Sequence, residues 1–260
     1  MDVYDAKMTG NVITDGQELL NLLQNGIHFS FAKFNDGEMA LIENANAVAS
    51  RGYQSGSVKL QDKLKEALLF RASNYYVSLP CKECWPKNYK FCISLLGNID
   101  QRFDVTNANT LINVNVNKTL DVLKDVINKR TLTGLETVLV CSKSAYPERL
   151  NEIGFHFTRV FQVPAKNGFD QYDEIYKHHL KLPANCLVVF CCGPVGRVLC
   201  YDWFRQCSKI TCLELGSLFD PIINHKTYLY HTRTLPFCST CNPVIEEKEA
   251  FSDLNIFKWG

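Results

Sequence analysis

The sequence predicts an α/β fold, a Rossmann-like, mostly parallel sheet with helices on both faces, and three observations carry that prediction. From residue 137 onward, strand-length apolar runs alternate with helical stretches. Those runs (TVLVC, CLVVFCC, KITCLEL) are rich in Val, Leu and Cys, as strands buried on both faces are. Upstream, Ile27–Phe34 alternates with a two-residue period and ends in Asn35-Asp36-Gly37-Glu38, a turn-forming run. Strands separated by helices need crossover connections, which make neighbouring strands parallel.

Each element follows in order. A helix is expected over Gly16–Gln24, with Asp15 as N-cap and Gly26 just beyond its end. The strand Ile27–Phe34 places Ile27, Phe29 and Phe31 on one face, and a helix is expected from Met39. Leu60, Leu64 and Leu68 recur four residues apart in Val58–Ala72, a helix capped by Ser57 whose leucine stripe faces the core. Tyr75–Leu79 is the next strand, and Cys81–Thr110 has no legible pattern. Lys118–Arg130 is helical and Thr137–Cys141 a buried strand. Three helix–strand pairs follow: Glu148–Ile153 with Thr158–Val163, Phe169–Leu180 with Cys186–Cys192, and Val195–Gln206 with Lys209–Leu215. His178 and His179 are expected on a solvated helix face. No linker or repeat divides the chain, so residues 1–260 are expected as one domain, with 221–260 an extension packed on it.

Composition narrows the function classes. There are 28 Lys+Arg against 27 Asp+Glu, a net charge of +1, whereas a dedicated nucleic-acid binder shows a basic excess. No apolar run approaches the ~18 residues of a transmembrane helix, and the opening MDVYDAKMTGNV lacks the pattern of a signal peptide. The twelve cysteines include Cys191-Cys192 inside an apolar strand, which fits reduced, buried thiols and a cytoplasmic protein better than a secreted disulfide scaffold.

Ligands of open α/β sheets bind beyond the carboxyl ends of the strands. The residues there are Asp36-Gly37-Glu38, Ser142-Lys143-Ser144, Pro164-Ala165-Lys166-Asn167, Gly193-Pro194-Val195-Gly196-Arg197 and Gly216-Ser217. Together they offer a carboxylate pair, lysines, an arginine and a glycine-bearing turn that opens a helix. That set suits a metal–diphosphate ligand. Taken alone, each motif is equally a plain turn: Asp-Gly is common in turns, and the Gly193 run has neither dinucleotide-fingerprint nor Walker spacing.

Cys81-Lys-Glu-Cys84 and Cys238-Ser-Thr-Cys241 each have the spacing of half a structural zinc site. A single zinc held by all four thiolates would join the middle of the chain to its C-terminal segment; the bland alternative is two unrelated sets of thiols.

Residues 31–39 (FAKFNDGEM) resemble the Arg-Phe-Gly-Asp-Gly-Glu signature of the GT-D type glycosyltransferases, whose metal motif is Asp-x-Glu. Leu187–Asp202 resembles that family's strand, Gly-Pro turn and helix; Leu213–Ser217 with Asp220 is similar to its Asp-Ile-Gly-His segment and later Asp; Pro164–Tyr172 is similar to the stretch between. These four blocks span roughly residues 17–220 in the family's order. The resemblance implies a nucleotide-sugar donor, typically a UDP-sugar, a Mn²⁺ or Mg²⁺ ion, and a glycan or glycoprotein acceptor. Asp36 and Glu38 are then the expected metal ligands and catalytic carboxylates, with Gly193 and Pro194 on the donor side. Lys33, Asn35, Lys143, Arg197 and Glu214 are further donor-site candidates, and Asp220 or Glu214 a candidate base. Lys33 stands for the family's Arg, Asn35 for a Gly, Glu214 for an Asp and Ser217 for a His. The competing readings are a non-catalytic nucleotide- or glycan-binding α/β module and a methyltransferase, whose glycine-rich first turn is not found in the sequence.

Overall fold

The structure, a computed structural model, describes residues 6–49, 54–97, 104–112, 116–179, 182–223, 238 and 240. Its first half contains α1 (Val12–Gln24), β1 (Ser30–Lys33), α2 (Asp36–Glu43), β2 (Val48–Ala49), β3 (Gln54–Ser55), α3 (Val58–Leu69), β4 (Tyr75–Leu79), α4 (Pro86–Leu96) and β5 (Val105–Asn107). Its second half contains α5 (Val116–Leu132), β6 (Thr137–Ser142), α6 (Glu148–Glu152), β7 (Arg159–Val163), α7 (Tyr172–His179), β8 (Leu187–Cys191), α8 (Pro194–Gln206), β9 (Thr211–Glu214) and α9 (Asp220–Ile223).

Seven strands form one sheet in the order β5-β4-β1-β9-β8-β6-β7, and every pairing within it is parallel. The expected α/β architecture is thus the observed one. The central strands bury both faces: β4, β6 and β8 are almost wholly inaccessible, whereas the edge strand β7 is largely exposed. One face packs on α2, α3, α4, α7 and α8 through residues such as Met39, Leu64, Leu68, Val188, Leu199 and Trp203. The other packs on α1, α5, α6 and α9 through Leu19, Leu23, Phe31, Leu123, Leu150 and Phe219. The Leu60, Leu64 and Leu68 stripe is fully buried in the first of these cores. No helix among the described residues is long and apolar enough to cross a membrane.

Several local expectations are corrected. Helix α1 begins at Val12, not Gly16, because Asn11 caps it by accepting from the N–H groups of Ile13 and Thr14. Asp15 is a buried acceptor instead: its carboxylate receives the Thr9 and Gly10 N–H groups and the Thr9 and Thr106 hydroxyls. Helix α2 begins at Asp36, three residues before Met39. The patternless stretch 81–110 contains α4 and β5, and the hairpin β2–β3 has no counterpart among the expected elements. Its Gln54 side chain accepts from Phe169 N–H, and Ser55 N–H donates to Asn167 Oδ1, which docks the hairpin on the loop after β7. The Ser57 cap of α3 is observed, with Leu60 N–H as donor. Most of the expected 221–260 extension, Leu180 and the side chains of His178 and His179 lie outside the described residues.

Candidate active site

The parallel sheet brings all five candidate segments to one edge. At its centre, β1 and β9 are neighbours whose chains leave in opposite directions. After β1 the chain enters α2 on one face, while after β9 it enters α9 on the other. In open α/β sheets such a divergence, at the carboxyl end of the strands, is the usual place of a ligand crevice.

Four charged side chains are buried at this crevice: Lys33 at the end of β1, Glu38 in the first turn of α2, Arg197 in the first turn of α8, and Glu214 at the end of β9. Arg197 braces the group. Its Nε donates to the Lys33 carbonyl at 2.7 Å, its second nitrogen lies 2.9 Å from Glu214 Oε1, and Nε is 3.4 Å from Glu38 Oε1. Burial opposes charge on Arg197, but Glu214 and Glu38 hold its pKa above the ordinary guanidinium value. The close approach of α8 depends on Gly196, where a Cβ would sit 3.1 Å from Cys192 Sγ and 3.5 Å from Glu214 Cγ. Arg197, expected as a donor-site residue, is 4% exposed and held from three sides.

Glu38 is similarly engaged. Its Oε2 accepts the Asn35 N–H at 3.0 Å, the returning half of a capping box, while Oε1 faces Arg197. Asn35 itself is the N-cap residue, half-buried. Asp36 occupies the first position of α2 and is half-buried at the mouth of the crevice, where the helix N-terminus favours negative charge. Glu214 accepts from the Gly216 N–H through Oε1. Its pKa is pushed up to about 7 by burial, against the pull of Arg197 and Lys33.

The crevice is polar but incompletely satisfied. Burial, with Arg197 nearby, lowers the Lys33 pKa despite Glu214, Glu38 and Asp36. Among the described residues its ammonium makes no ion pair or hydrogen bond, although the residue is only 7% exposed. Glu214 Oε2 and the hydroxyl of Ser78, the residue paired with Lys33 across β1–β4, are buried without hydrogen-bond partners among the described residues. Orphaned polar groups of this kind are uncommon in native interiors, and a bound water, ion or ligand is one thing that satisfies them; Arg130 and Glu136 carry others, just before β6.

The other candidates lie around this centre. Gly193 has φ +71° with open space where a Cβ would be, and Pro194 begins α8, so the helix N-terminus faces the edge two strands from β1. Asp220 opens α9 after the Gly216 turn and is half-buried. Lys143 is exposed after β6, further along the same edge. Ser78 and the contacts of Gly216 carry no signal in the sequence; their proximity to Lys33 exists only in the fold. Cys81, Cys84 and Cys238 come together away from the crevice, and Cys241 lies outside the described residues.

Carboxylate oxygens at Asp36 and Glu38 are the donor type that Mn²⁺ or Mg²⁺ takes, with phosphate oxygens and water completing the shell. Asp36 fits such an ion by donor type and is half-buried, whereas the two oxygens of Glu38 already face the Asn35 N–H and Arg197.

Compared by sequence, the chain matches no protein-family model and no curated protein. Compared by structure, it is similar to a domain of unknown function 1792 described as having a distinct glycosyltransferase fold, with TM-score 0.60 and 20% identity over 78% of this chain and 77% of that one. A selenomethionine-substituted structure of the domain gives the same values. A structure described as a new glycosyltransferase of this domain type, from Streptococcus sanguinis, gives TM-score 0.55 and 17% identity over 78% and 80% of the two chains. The chain therefore has the α/β fold of these glycosyltransferase-type domains.

Proposed function

We propose that the protein is a metal-dependent glycosyltransferase that binds a nucleotide sugar, typically a UDP-sugar, and passes the sugar to a hydroxyl of a glycan or glycoprotein. The observation that carries this reading is the unsatisfied Lys33 ammonium at the β1/β9 crevice, beside Asp36 and opposite the N-terminus of α8. A largely buried cation with no direct ion pair or hydrogen bond among the described residues, although Glu214, Glu38 and Asp36 lie near it, favours an anionic ligand, and helix N-termini bind phosphate through their free N–H groups.

In this reading Lys33 binds the diphosphate as a point charge, and the Gly193-Pro194 turn lets phosphate oxygens approach the backbone. Asp36 and Glu38 would hold the ion, which when bound supplies charge neutralisation to the departing diphosphate. Arg197 acts on the ligand indirectly, by fixing the positions of Glu38, Glu214 and the Lys33 backbone. Asp220 is the candidate base toward the acceptor hydroxyl, because it is the more accessible of the two carboxylates considered; Glu214 is fully buried and serves to orient Arg197 and the Gly216 turn.

Release of nucleoside diphosphate from a panel of nucleotide sugars, measured by ion-exchange chromatography with Mn²⁺ and with a chelator, tests the proposal. Metal-dependent release that Asp36→Ala abolishes supports it. Binding without release in the presence of diverse glycan acceptors would point to a non-catalytic binding module instead.

A further inference from the structure

Cys81 lies two residues beyond the end of β4, and Cys238 comes from a segment 157 positions further along the chain. The thiol sulfurs of Cys81, Cys84 and Cys238 lie within 4.8 Å of one another. Cys81 Sγ and Cys238 Sγ are 3.6 Å apart. These two residues are buried against each other in a small cluster separate from both main cores, with Cys84 exposed at its rim. Cys238 also donates to Glu83 Oε2 at 3.1 Å, and the Thr240 hydroxyl donates to the other oxygen of Glu83. Among the described residues, two segments remote in sequence thus meet through three thiols, one carboxylate and the Thr240 hydroxyl.

That arrangement has the chemistry of a metal site. A Zn–S bond of about 2.3 Å in a tetrahedron places neighbouring sulfurs about 3.8 Å apart. A disulfide needs a separation of ~2.05 Å, so the 3.6 Å Cys81–Cys238 spacing is that of two reduced thiols in contact and is close to that of two ligands of one ion. Soft thiolate donors in tetrahedral arrangement select zinc among the common divalent ions. The buried cysteines Cys92, Cys141 and Cys186 lie within the two main cores, where burial pushes their thiols up to about 12.

We infer that Cys81, Cys84 and Cys238 are ligands of one structural zinc ion that ties the C-terminal segment to the loop beyond β4. Binding converts each thiol to a thiolate and releases its proton to solvent. Glu83 then gives up the Cys238 hydrogen bond and keeps that of Thr240. Cys241 completes the Cys-x-x-Cys spacing in the sequence and lies outside the described residues. Because β4 pairs with β1, the ion would sit beyond the carboxyl end of the strand next to that of Lys33, apart from the charged group at β1 and β9.

The full-length protein, purified without a metal-affinity tag under reducing conditions, should contain about one zinc per chain by plasma mass spectrometry. Cys84→Ser, at an exposed position and so tolerated by the fold, should bind zinc at least ~10-fold more weakly; Cys238→Ser should do the same. Cys207→Ser and Asp36→Ala should retain the zinc, which separates this ion from any at the crevice. Replacement by Co²⁺ should give thiolate-to-cobalt charge-transfer bands and intense tetrahedral d–d bands that Cys84→Ser loses. A reduced, folded protein that neither contains nor takes up zinc, a Cys81–Cys238 disulfide found by mass spectrometry, or zinc retained by both Cys84→Ser and Cys238→Ser would overturn the inference.

Discussion

Replacing Arg197 with Ala removes a cation that contacts both buried carboxylates, and its effect follows from the geometry. Arg197 contributes a 2.9 Å contact to Glu214, a 3.4 Å contact to Glu38 and a 2.7 Å hydrogen bond to the Lys33 carbonyl. Breaking a buried ion pair by deleting one partner costs about 3–5 kcal/mol, because the remaining charge stays desolvated. For a chain of this size that corresponds to a fall in Tm of roughly 6–20 °C. The loss should depend on pH in a definite direction. Glu214 already holds its proton up to about pH 7 in the folded state, and without Arg197 it holds it more tightly. The folded variant therefore binds more protons than the unfolded chain over a wider range above the ordinary carboxyl pKa, so its stability falls more steeply as pH rises. Urea denaturation of wild type and Arg197→Ala at about pH 5 and about pH 8 should give the larger difference at the higher pH. Adding Glu214→Gln should recover part of it, since a neutral amide leaves one fewer stranded charge. A variant with wild-type stability and only weakened nucleotide-sugar binding would refute the bracing role and restore Arg197 as a direct phosphate contact.

Two further expectations concern the same corner. Glu214→Gln alone should flatten the pH dependence of stability between about 4.5 and 7: the raised carboxyl pKa makes wild type lose stability as pH rises through that window, by on the order of 3 kcal/mol, and an amide cannot ionise. Gly196→Ala should destabilise by about 1–3 kcal/mol in the same denaturation assay, because the added methyl meets Cys192 Sγ at 3.1 Å and the Phe190 Cβ at 3.3 Å; an unchanged midpoint would show that α8 can move off the sheet without cost.

Strands β6, β8 and β9 are legible in the sequence because each is a short apolar run buried on both faces, whereas β7, a largely exposed edge strand, is placed only by its position in the alternation of strands and helices. Helix α3 is legible for a different reason, its leucine stripe and its Ser57 cap. The start of α2 is obscured because Asp36-Gly37 has turn chemistry; the capping by Asn35 and Glu38 that makes it helical needs Glu38 in place to be seen. The Cys81–Thr110 stretch hides α4 because that helix buries little, chiefly Cys92 and Leu96, so its periodicity is weak. At the candidate site, convergence of the five segments follows from parallel strands alone. What sequence does not convey is depth. Arg197, Glu38 and Glu214 carry charges that composition assigns to the surface, yet all three are buried because each neutralises another. One signal is present: Glu214 stands inside the apolar run of β9, and a carboxylate there needs a buried cation nearby.

The central claim is that Lys33 and Asp36 mark a site for a metal-bound nucleotide sugar. Thermal-shift titration with UDP-sugars, with and without Mn²⁺, tests it most directly, since any ligand that binds the folded state raises Tm by mass action and no acceptor is needed. Wild type should be stabilised by about 2.7 kcal/mol at a ligand concentration about 100 times Kd, in the presence of Mn²⁺. Lys33→Met should lose the ligand-induced shift, and Asp36→Ala should lose its dependence on Mn²⁺. Equal shifts in wild type and both variants, or no shift with any nucleotide sugar, would contradict the assignment.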